Sequence, residues 1–542
     1  MRKRRWGESG LCVLITLSML VIFSPIAVAQ MTSSFHGFLE SSLVMRDVDG
    51  MQYGFFDEAY GVQQRNTLKF DVDIDPDMEL GPFRVEKVHL TFRGAYDSIY
   101  DLAAHRYDIK EDLGASRFDY GEEDIRFESD LREAFIDFAY KGHLGNRAFL
   151  RTGRQIVSWG ESSLETMCDI INPADQSFQM FFQNPDDVKT PLWMGRLNFD
   201  LPRFARTSIN FDLLWIPDIR PTQFGPRDSV AGQAGVGLQA PYVSPLFYDL
   251  TGQNIREDVP TNNNEYGGKV SAQLGDRLSL SLLYFRDVVN DPGIFIDKFY
   301  SGQTANFTHN KQHVYGGYFS YQLLIGRFEA VIRGEASHYT AYPITVATGQ
   351  DLLVGNWMSI PVAPFMVPLD DQAGVQSFVY KPVTKVMLAV DKDLRIRWIS
   401  PHDLVNVSFE WLHTTINEWN AGDSDGRLDG PFYSATVTNK AGGPKLLHQR
   451  TNSREQDTFF FQAMTNWWAS KLNPMLIVAY NMGKHGDGAT WMLRPQIKWT
   501  ITPNLYTQLT FQAFLGDDES SYAFSNFVNG PTEATIKLGY EW

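Results

Sequence analysis

The chain has 542 residues, a formal net charge of −16 and 43% hydrophobic content. That acidic balance argues against nucleic acid as a partner. With two cysteines, Cys12 and Cys168, the fold is not a disulfide scaffold, and 14% aromatic residues is high for a soluble acidic protein.

The first element is an export signal. Arg2, Lys3, Arg4 and Arg5 precede an apolar stretch at 11–23, and Ala27-Val28-Ala29 has the small-x-small form of a cleavage site. Residues 1–29 therefore read as a secretory signal peptide and 30–542 as the mature domain. Cys168 is then the only mature cysteine, flanked by Glu165 and Asp169 rather than by a cation that would activate it, and it reads as a small loop residue.

Beyond the signal no run of about 18 apolar residues occurs, so a transmembrane helix is not expected. Alternation takes its place. Leu68, Phe70, Val72 and Ile74 alternate with Lys69, Asp71 and Asp73, and Phe328, Ala330, Ile332, Gly334 and Ala336 alternate with Glu329, Val331, Arg333, Glu335 and Ser337. Apolar residues facing lipid and charges facing a lumen explain both patterns, since a charge at the bilayer midplane costs about 2–4 kcal/mol.

The elements in chain order are a first strand at 35–44, then hairpins whose tight turns fall at 75–82, 141–146, 201–206, 275–276, 325–327, 400–402, 473–474 and 502–504. The last strand, 534–542, places Ile536, Leu538, Tyr540 and Trp542 on one face. A terminal strand ending in an aromatic residue is what outer-membrane barrels present to the barrel assembly machinery. The fold class is all-β: a transmembrane antiparallel β-barrel of about 16–18 strands with both termini periplasmic, in the cell outer membrane. Long extracellular connections are expected at 46–65, 98–127, 159–190, 217–262, 288–311, 340–380 and 416–454.

Two loops carry clustered acids. From Asp97 to Glu128 ten acids face four basic residues, which suits either a solvated loop or divalent-cation bridging to lipopolysaccharide and outer-membrane lipid. Asp423, Asp425 and Asp429 hint at calcium, although Ala421 and Phe432 stand where an EF-hand would need its first and last ligands.

The most chemical-looking stretch runs from Phe149 through Arg151, Gly153, Arg154, Gln155, Trp159 and Glu161 to Asn172 and Asp175. Either pleat phase turns one arginine toward lipid, and a bulge at Gly153 would let both avoid it. Glu133 and Asp137 on the preceding strand supply opposite charges. The cluster is either an internal salt-bridge network or a selectivity element in the pore, with Arg333, Glu335 and Asp391, and further along Arg395 and Arg397, as inward charges. Later in the 159–190 connection, Phe178, Met180, Phe181 and Phe182 form an apolar cluster, suited to a greasy ligand or to a loop's own small core.

Leu131-Arg-Glu-Ala-Phe-Ile-Asp137, Gly153-Arg-Gln155, Trp159-Gly-Glu-Ser162 and Asn172-Pro-x-Asp175 resemble the signature of a large family of Gram-negative outer-membrane barrels, domain of unknown function 1302. Arg333-Gly-Glu335, Ala389-Val-Asp-Lys392 and Arg494-Pro495 agree with it. The resemblance implies a step in lipid or hydrophobic-molecule traffic, beside a periplasmic lipid carrier and an inner-membrane exporter of the resistance-nodulation-division type. It implies no catalytic residues.

No His-Glu-x-x-His zinc motif, Gly-x-Ser-x-Gly elbow or Gly-rich phosphate loop is present in the mature chain, so no enzyme and no cofactor are expected. The expected function is an outer-membrane channel or export component for lipid-like or other hydrophobic molecules. The alternatives are a porin for small polar solutes and a plugged structural or adhesive barrel.

Overall fold

The computed structural model describes residues 32–47, 60–76, 78–102, 126–141, 147–163, 167–176, 188–204, 206–224, 254–258, 264–290, 293–297, 304–326, 328–345, 375–376, 378–419, 431–438, 444–450, 454–482, 490–516 and 532–542. Eighteen strands form the wall: β1 Thr32–Asp47, β2 Tyr60–Asp75, β3 Phe83–Asp97, β4 Phe127–Lys141, β5 Arg147–Gln155, β6 Leu192–Asp200, β7 Thr207–Ile216, β8 Glu265–Leu274 and β9 Leu278–Val288, then β10 Lys311–Ile325, β11 Phe328–Thr345, β12 Phe378–Leu394, β13 Val405–Ile416, β14 Glu455–Thr465, β15 Leu472–Met482, β16 Thr490–Thr500, β17 Leu505–Gly516 and β18 Thr532–Glu541. Each pairs antiparallel with the next, and β1 pairs antiparallel with β18, so the sheet closes and leaves no edge. No helix among the described residues is long and apolar enough to cross a membrane, and in a barrel the strands do the crossing.

Alternation decides which face is out. Leu39, Leu68, Leu213, Leu282, Leu388, Val390, Ile497, Leu509 and Leu538 are all exposed on the outer wall. Exposed aromatic residues gather toward both rims: Phe83, Phe328, Trp499, Tyr540 and Trp542 near the tight turns, Tyr96, Phe127, Trp215, Tyr266 and Trp491 near the long connections. A continuous apolar belt with aromatic borders is the surface a bilayer covers. Inward, Lys69, Asp71 and Asp73 alternate as expected, with Asp73 bound to Lys87 at 2.8 Å and to His89 at 2.5 Å.

The closing seam is ordered by its last residue. Trp542 exchanges main-chain hydrogen bonds with Gly37, and its ring stacks on Phe35 at 6.4 Å. A Cβ at Gly37 would collide with that ring, so the glycine makes room for the terminal aromatic. Inside the same seam Lys537 reaches Glu40 at 2.9 Å.

Six of the eight expected turns are where the sequence put them, and a seventh, at 142–146, lies outside the described residues. The eighth is not: Asn473 and Pro474 lie within β15, and the chain reverses earlier, at Trp468, Ala469 and Ser470, three successive residues with φ of 52°, 55° and 62°. Pro474 is tolerated because the β14–β15 ladder ends at Met464–Met475, leaving no donor to be missed. Strands run on into two of the expected long connections, β11 to Thr345 and β2 from Tyr60. Segments 254–258, 293–297, 304–308 and 375–376, from three of these connections, pair into a small four-stranded sheet.

Candidate constriction site

Arg151 and Asp137 face each other across β4 and β5, and the guanidinium binds the carboxylate in two places, at 2.7 and 2.8 Å. Its plane also covers Phe135, 3.8 Å from the ring centroid, and Phe135 stacks on His89. Arg154, at the alternate pleat position, takes Asp130 at 2.9 Å and the carbonyl oxygen of Leu131 at 2.5 Å. Glu133 is not its partner: Glu133 Oε1 accepts the Ile156 N–H at 2.9 Å. Both arginines are therefore satisfied without a bulge in β5, whose register is unbroken with β4 from 147 to 154 and with β6 from 147 to 155. The bulge lies one strand back, where Thr91–Glu133 and Phe92–Leu131 skip Arg132.

Gly153 matters for another reason. It has φ of 135°, and an added Cβ would lie 2.6 Å from Phe135 Cα. The backbone of β5 presses onto β4 there, just before the chain leaves the wall. Gln155 ends β5 fully buried, its amide donating to the Met194 carbonyl at 3.3 Å.

The connection after β5 then folds inward. Its neck is closed by Asn172, whose Oδ1 accepts Val157 N–H at 2.8 Å and whose amide donates to the carbonyls of Gln155 and Thr190. Lys189 adds an ion pair to Asp169 and donates to Ser158 Oγ at 2.6 Å. Asp175 pairs in parallel with Gln223 of the next connection.

From that neck residues 157–163 and 167–171, the described parts of the segment 157–171, reach strands six to eight places round the barrel. Glu335 of β11 accepts the backbone N–H of Glu161 at 2.5 Å, Ser162 at 2.9 Å and Cys168 at 2.7 Å. Glu410 of β13 accepts Ser162 Oγ at 2.7 Å and Ser163 N–H at 3.2 Å. Arg333 donates to the Glu161 carbonyl while its other nitrogens grip Asp391 at 2.6 and 3.1 Å, and Ser408 Oγ donates to the same carboxylate. Gly160 sits so close to Glu335 that a Cβ would lie 2.9 Å from its Oε1.

Apolar packing completes the attachment. Val157, Trp159, Cys168 and Ile171 join Leu192, Met194, Leu214, Ile216, Leu283, Phe285, Val314 and Tyr339 in one buried cluster, and Met167 packs with Met387, Ala389 and Leu412. Trp159 Nε1 donates to Asp212 at 3.1 Å, and Asp212 also holds Arg196 at 2.8 Å. Gly316 of β10 leaves the space that Cys168 fills: its Cβ would lie 2.7 Å from the sulfur. Burial, then the Glu335 charge, pushes the Cys168 thiol up, which makes it a packing residue rather than a nucleophile.

What remains exposed on these residues is polar. Ser158 and Ser163 are exposed along the segment, with Glu161 and Ser162 half-buried between them. Burial raises the Glu161 carboxyl, Arg333 opposes the rise, and the charges of Glu335 and Asp391 reinforce it.

The structure thus joins Trp159, Glu161 and Asn172 to Arg333, Glu335 and Asp391 in one assembly, and keeps Glu133, Asp137, Arg151, Arg154 and Gln155 as its anchor on β4 and β5. Arg395 and Arg397 are elsewhere, in the tight turn after β12 and exposed. Glu410, Asp212 and Gly316 belong to the assembly and were not singled out from the sequence. Only their places in alternating strands marked them as inward. Phe178, Met180, Phe181 and Phe182 lie outside the described residues, as do Asp423, Asp425 and Asp429. No cluster of metal-ligating side chains occurs among the described residues. Of the acids expected to bridge cations, Glu128 is held by Arg65 and Arg93, and Asp101 by Arg126.

No curated protein matches the chain. Among solved structures it is similar to Acinetobacter baumannii OccAB3, at 10% identity over 94% of this chain and 99% of that one with a TM-score of 0.45. It is also similar to Pseudomonas aeruginosa OccK11 (OpdR), at 9% over 94% and 95% with 0.41. The crystal structure of Pseudomonas aeruginosa OpdK with vanillate matches at 6% over 94% and 98% with 0.44. A family model, protein of unknown function (DUF1302), matches residues 56–540, and the chain belongs to that family.

Proposed function

We propose that this protein is an outer-membrane channel for small polar solutes, constricted by the segment 157–171. The observation that carries this reading is the amphipathic placement of that segment. Its apolar side chains, Trp159, Met167, Cys168 and Ile171, are spent on the barrel wall, and what stays exposed is Ser158 and Ser163, with Glu161 half-buried between them and Ser162 bound to Glu410. A segment built as a stopper would gain nothing from that orientation, whereas a constriction that hydrated solutes must pass requires polar groups at its surface.

Reconstitution into planar bilayers tests it. A steady current proportional to salt is expected, with Arg333→Ala shifting ion selectivity because it frees the Asp391 carboxylate. A barrel that stays closed in salt and responds only to apolar ligands would overturn the polar-solute reading.

A second reading, traffic in hydrophobic molecules, is favoured by the Phe178, Met180, Phe181 and Phe182 cluster in the same connection. On that reading a periplasmic lipid carrier and an inner-membrane exporter are the partners to seek. Replacing Phe181 and Phe182 with Ser separates the two, since it should impair lipid handling and leave ion current largely unchanged.

A further inference from the structure

Two cations and a histidine stand together on the outside of the barrel, where β9 and β10 meet a long connection. Phe285 and Val314 pack against the inserted segment and so face inward. Strand alternation then turns Tyr284, Arg286, Lys311, His313 and Tyr315 outward. Exposure agrees, since Asp287 and Gln312 are buried while Lys311, His313 and Tyr315 are exposed. Register sets the spacing. Tyr266 of β8, Arg286 of β9 and His313 of β10 are cross-strand partners in one row, and Lys311 lies diagonally from Arg286, one rung nearer the rim.

These side chains are oriented, and their donors are free. The Arg286 guanidinium lies over the Tyr266 ring, 5.4 Å from its centroid. Tyr284 O–H donates to His313 Nδ1 at 2.9 Å and its ring stacks on the imidazole, which places the imidazole proton on Nε2. Neither Arg286 nor Lys311 has an ion pair or a side-chain hydrogen bond among the described residues. The outward histidine of β13 is different: His413 is bonded to Asp457 at 2.9 Å. No outward position of β8, β9 or β10 is acidic, and the acids at this level, Glu265 and Asp287, are buried on the inner face.

Outward charge is costly against hydrocarbon and tolerated only near the interfaces. The exposed rings of Trp215, Tyr266 and Tyr315 border the cations, so this patch sits where lipid head groups begin. Counting donors narrows the head group. Arginine offers a fork for two phosphate oxygens, and Lys311 and His313 add single donors. Two cations match a phosphate monoester, which carries about two negative charges and three terminal oxygens. A phosphodiester has half that charge and one oxygen fewer. The wall beneath is flush, with Leu282 over Gly317 and Phe319 over Gly334, so selection rests on the head and not on a cavity for the tail.

We infer that Arg286, Lys311 and His313 form an outer-wall binding site for the phosphate monoester head of an acylated glycolipid, the lipid A part of lipopolysaccharide. The site lies outside the lumen, goes beyond the channel reading and does not depend on it. It also differs from cation bridging by the acidic connection, where Glu128 and Asp101 are already held by arginines. Here the protein supplies the positive charge itself.

The test is native mass spectrometry of the detergent-solubilised barrel titrated with lipid A, with fully dephosphorylated lipid A and with phosphatidylglycerol. Lipid A should bind more tightly than either of the others by roughly tenfold or more, as two engaged cations imply. Arg286→Gln with Lys311→Gln should remove that advantage. Lys392→Gln should not, since Lys392 is an outward cation at the opposite rim whose Nζ donates to the Glu329 carbonyl at 2.8 Å. Should the double variant fail to assemble, Arg286→Lys keeps the charge without the fork and should weaken lipid A binding alone. Equal binding of phosphatidylglycerol or of dephosphorylated lipid A would make the patch a general interface anchor and overturn the site. A lipid A advantage that survives the double variant, or Arg286→Lys in its place, overturns it as well. Displacement of lipid A by inorganic phosphate would assign a soluble anion instead and overturn the lipid. Ion current recorded on the same preparation reports on the channel independently: a silent barrel that still selects lipid A would lose the channel reading and keep the site.

Discussion

Glu335 accepts the backbone N–H of Cys168 at 2.7 Å, across 167 residues of sequence and six strands of barrel wall. Two further N–H groups, of Glu161 and Ser162, converge on the same carboxylate. Hydrogen bonds to a charged acceptor contribute about 1.5–3 kcal/mol each. Glu335→Ala should therefore release the inserted segment at a local cost on the order of 3 kcal/mol or more, since the freed N–H groups stay partly buried. The check is amide hydrogen exchange, with faster exchange at Ser162 and Cys168 and no change at the β1–β18 seam.

Gly153 bears a backbone conformation that other residues adopt only under strain, and its missing side chain lets β5 press on Phe135. Gly153→Ala should destabilise the barrel by about 1–3 kcal/mol from backbone strain, with the steric clash added. Urea unfolding followed by tryptophan fluorescence measures it. Gly195, where an added Cβ meets nothing within 4 Å, is the control expected to change little on substitution by alanine.

The Cys168 sulfur fills the hollow at Gly316 and is fully buried. Maleimide labelling of the native barrel should be negligible and should become complete on unfolding. Gly316→Val forces the two apart, and labelling of the native state should then rise together with loss of stability.

Acidity at the constriction gives a pH signature. The Glu161 carboxyl is raised by burial, so on acidification it takes up a proton at a higher pH than an ordinary carboxylate. Lowering the pH through that raised value removes one negative charge from the passage. Cation preference should fall there, before the exposed acids titrate, and Glu161→Gln should abolish that step while holding selectivity at its low-pH value. Reversal potentials measured across a salt gradient from neutral to acid pH report it.

Alternation and turn residues made the barrel legible, because period two and tight reversals are local properties. Leu68 to Ile74 and the last strand show this, facing as their patterns require. The misplaced turn shows the limit. Asn473-Pro474 carries turn chemistry, yet Trp468, Ala469 and Ser470 make the reversal in left-handed conformations that nothing in their composition marks. At the site, Arg151 with Asp137 was readable because adjacent strands bring them together. Glu335 and Glu410 were not readable as the acceptors of the 157–171 segment, since only barrel closure and a crossing of the lumen bring them there. Gly153 was noticed for a reason the structure replaces: it relieves a contact with β4, and the bulge is at Arg132.

The central claim is that the segment 157–171 is a constriction in an open channel rather than part of a sealed wall. The most direct test is single-channel conductance of the wild-type barrel and of the Glu335→Ala, Glu410→Ala double variant in planar bilayers. An open wild-type current that scales with salt, and a larger, noisier current in the variant, is the predicted result. A silent wild type, or a conductance unchanged when both carboxylates are removed, would contradict the claim.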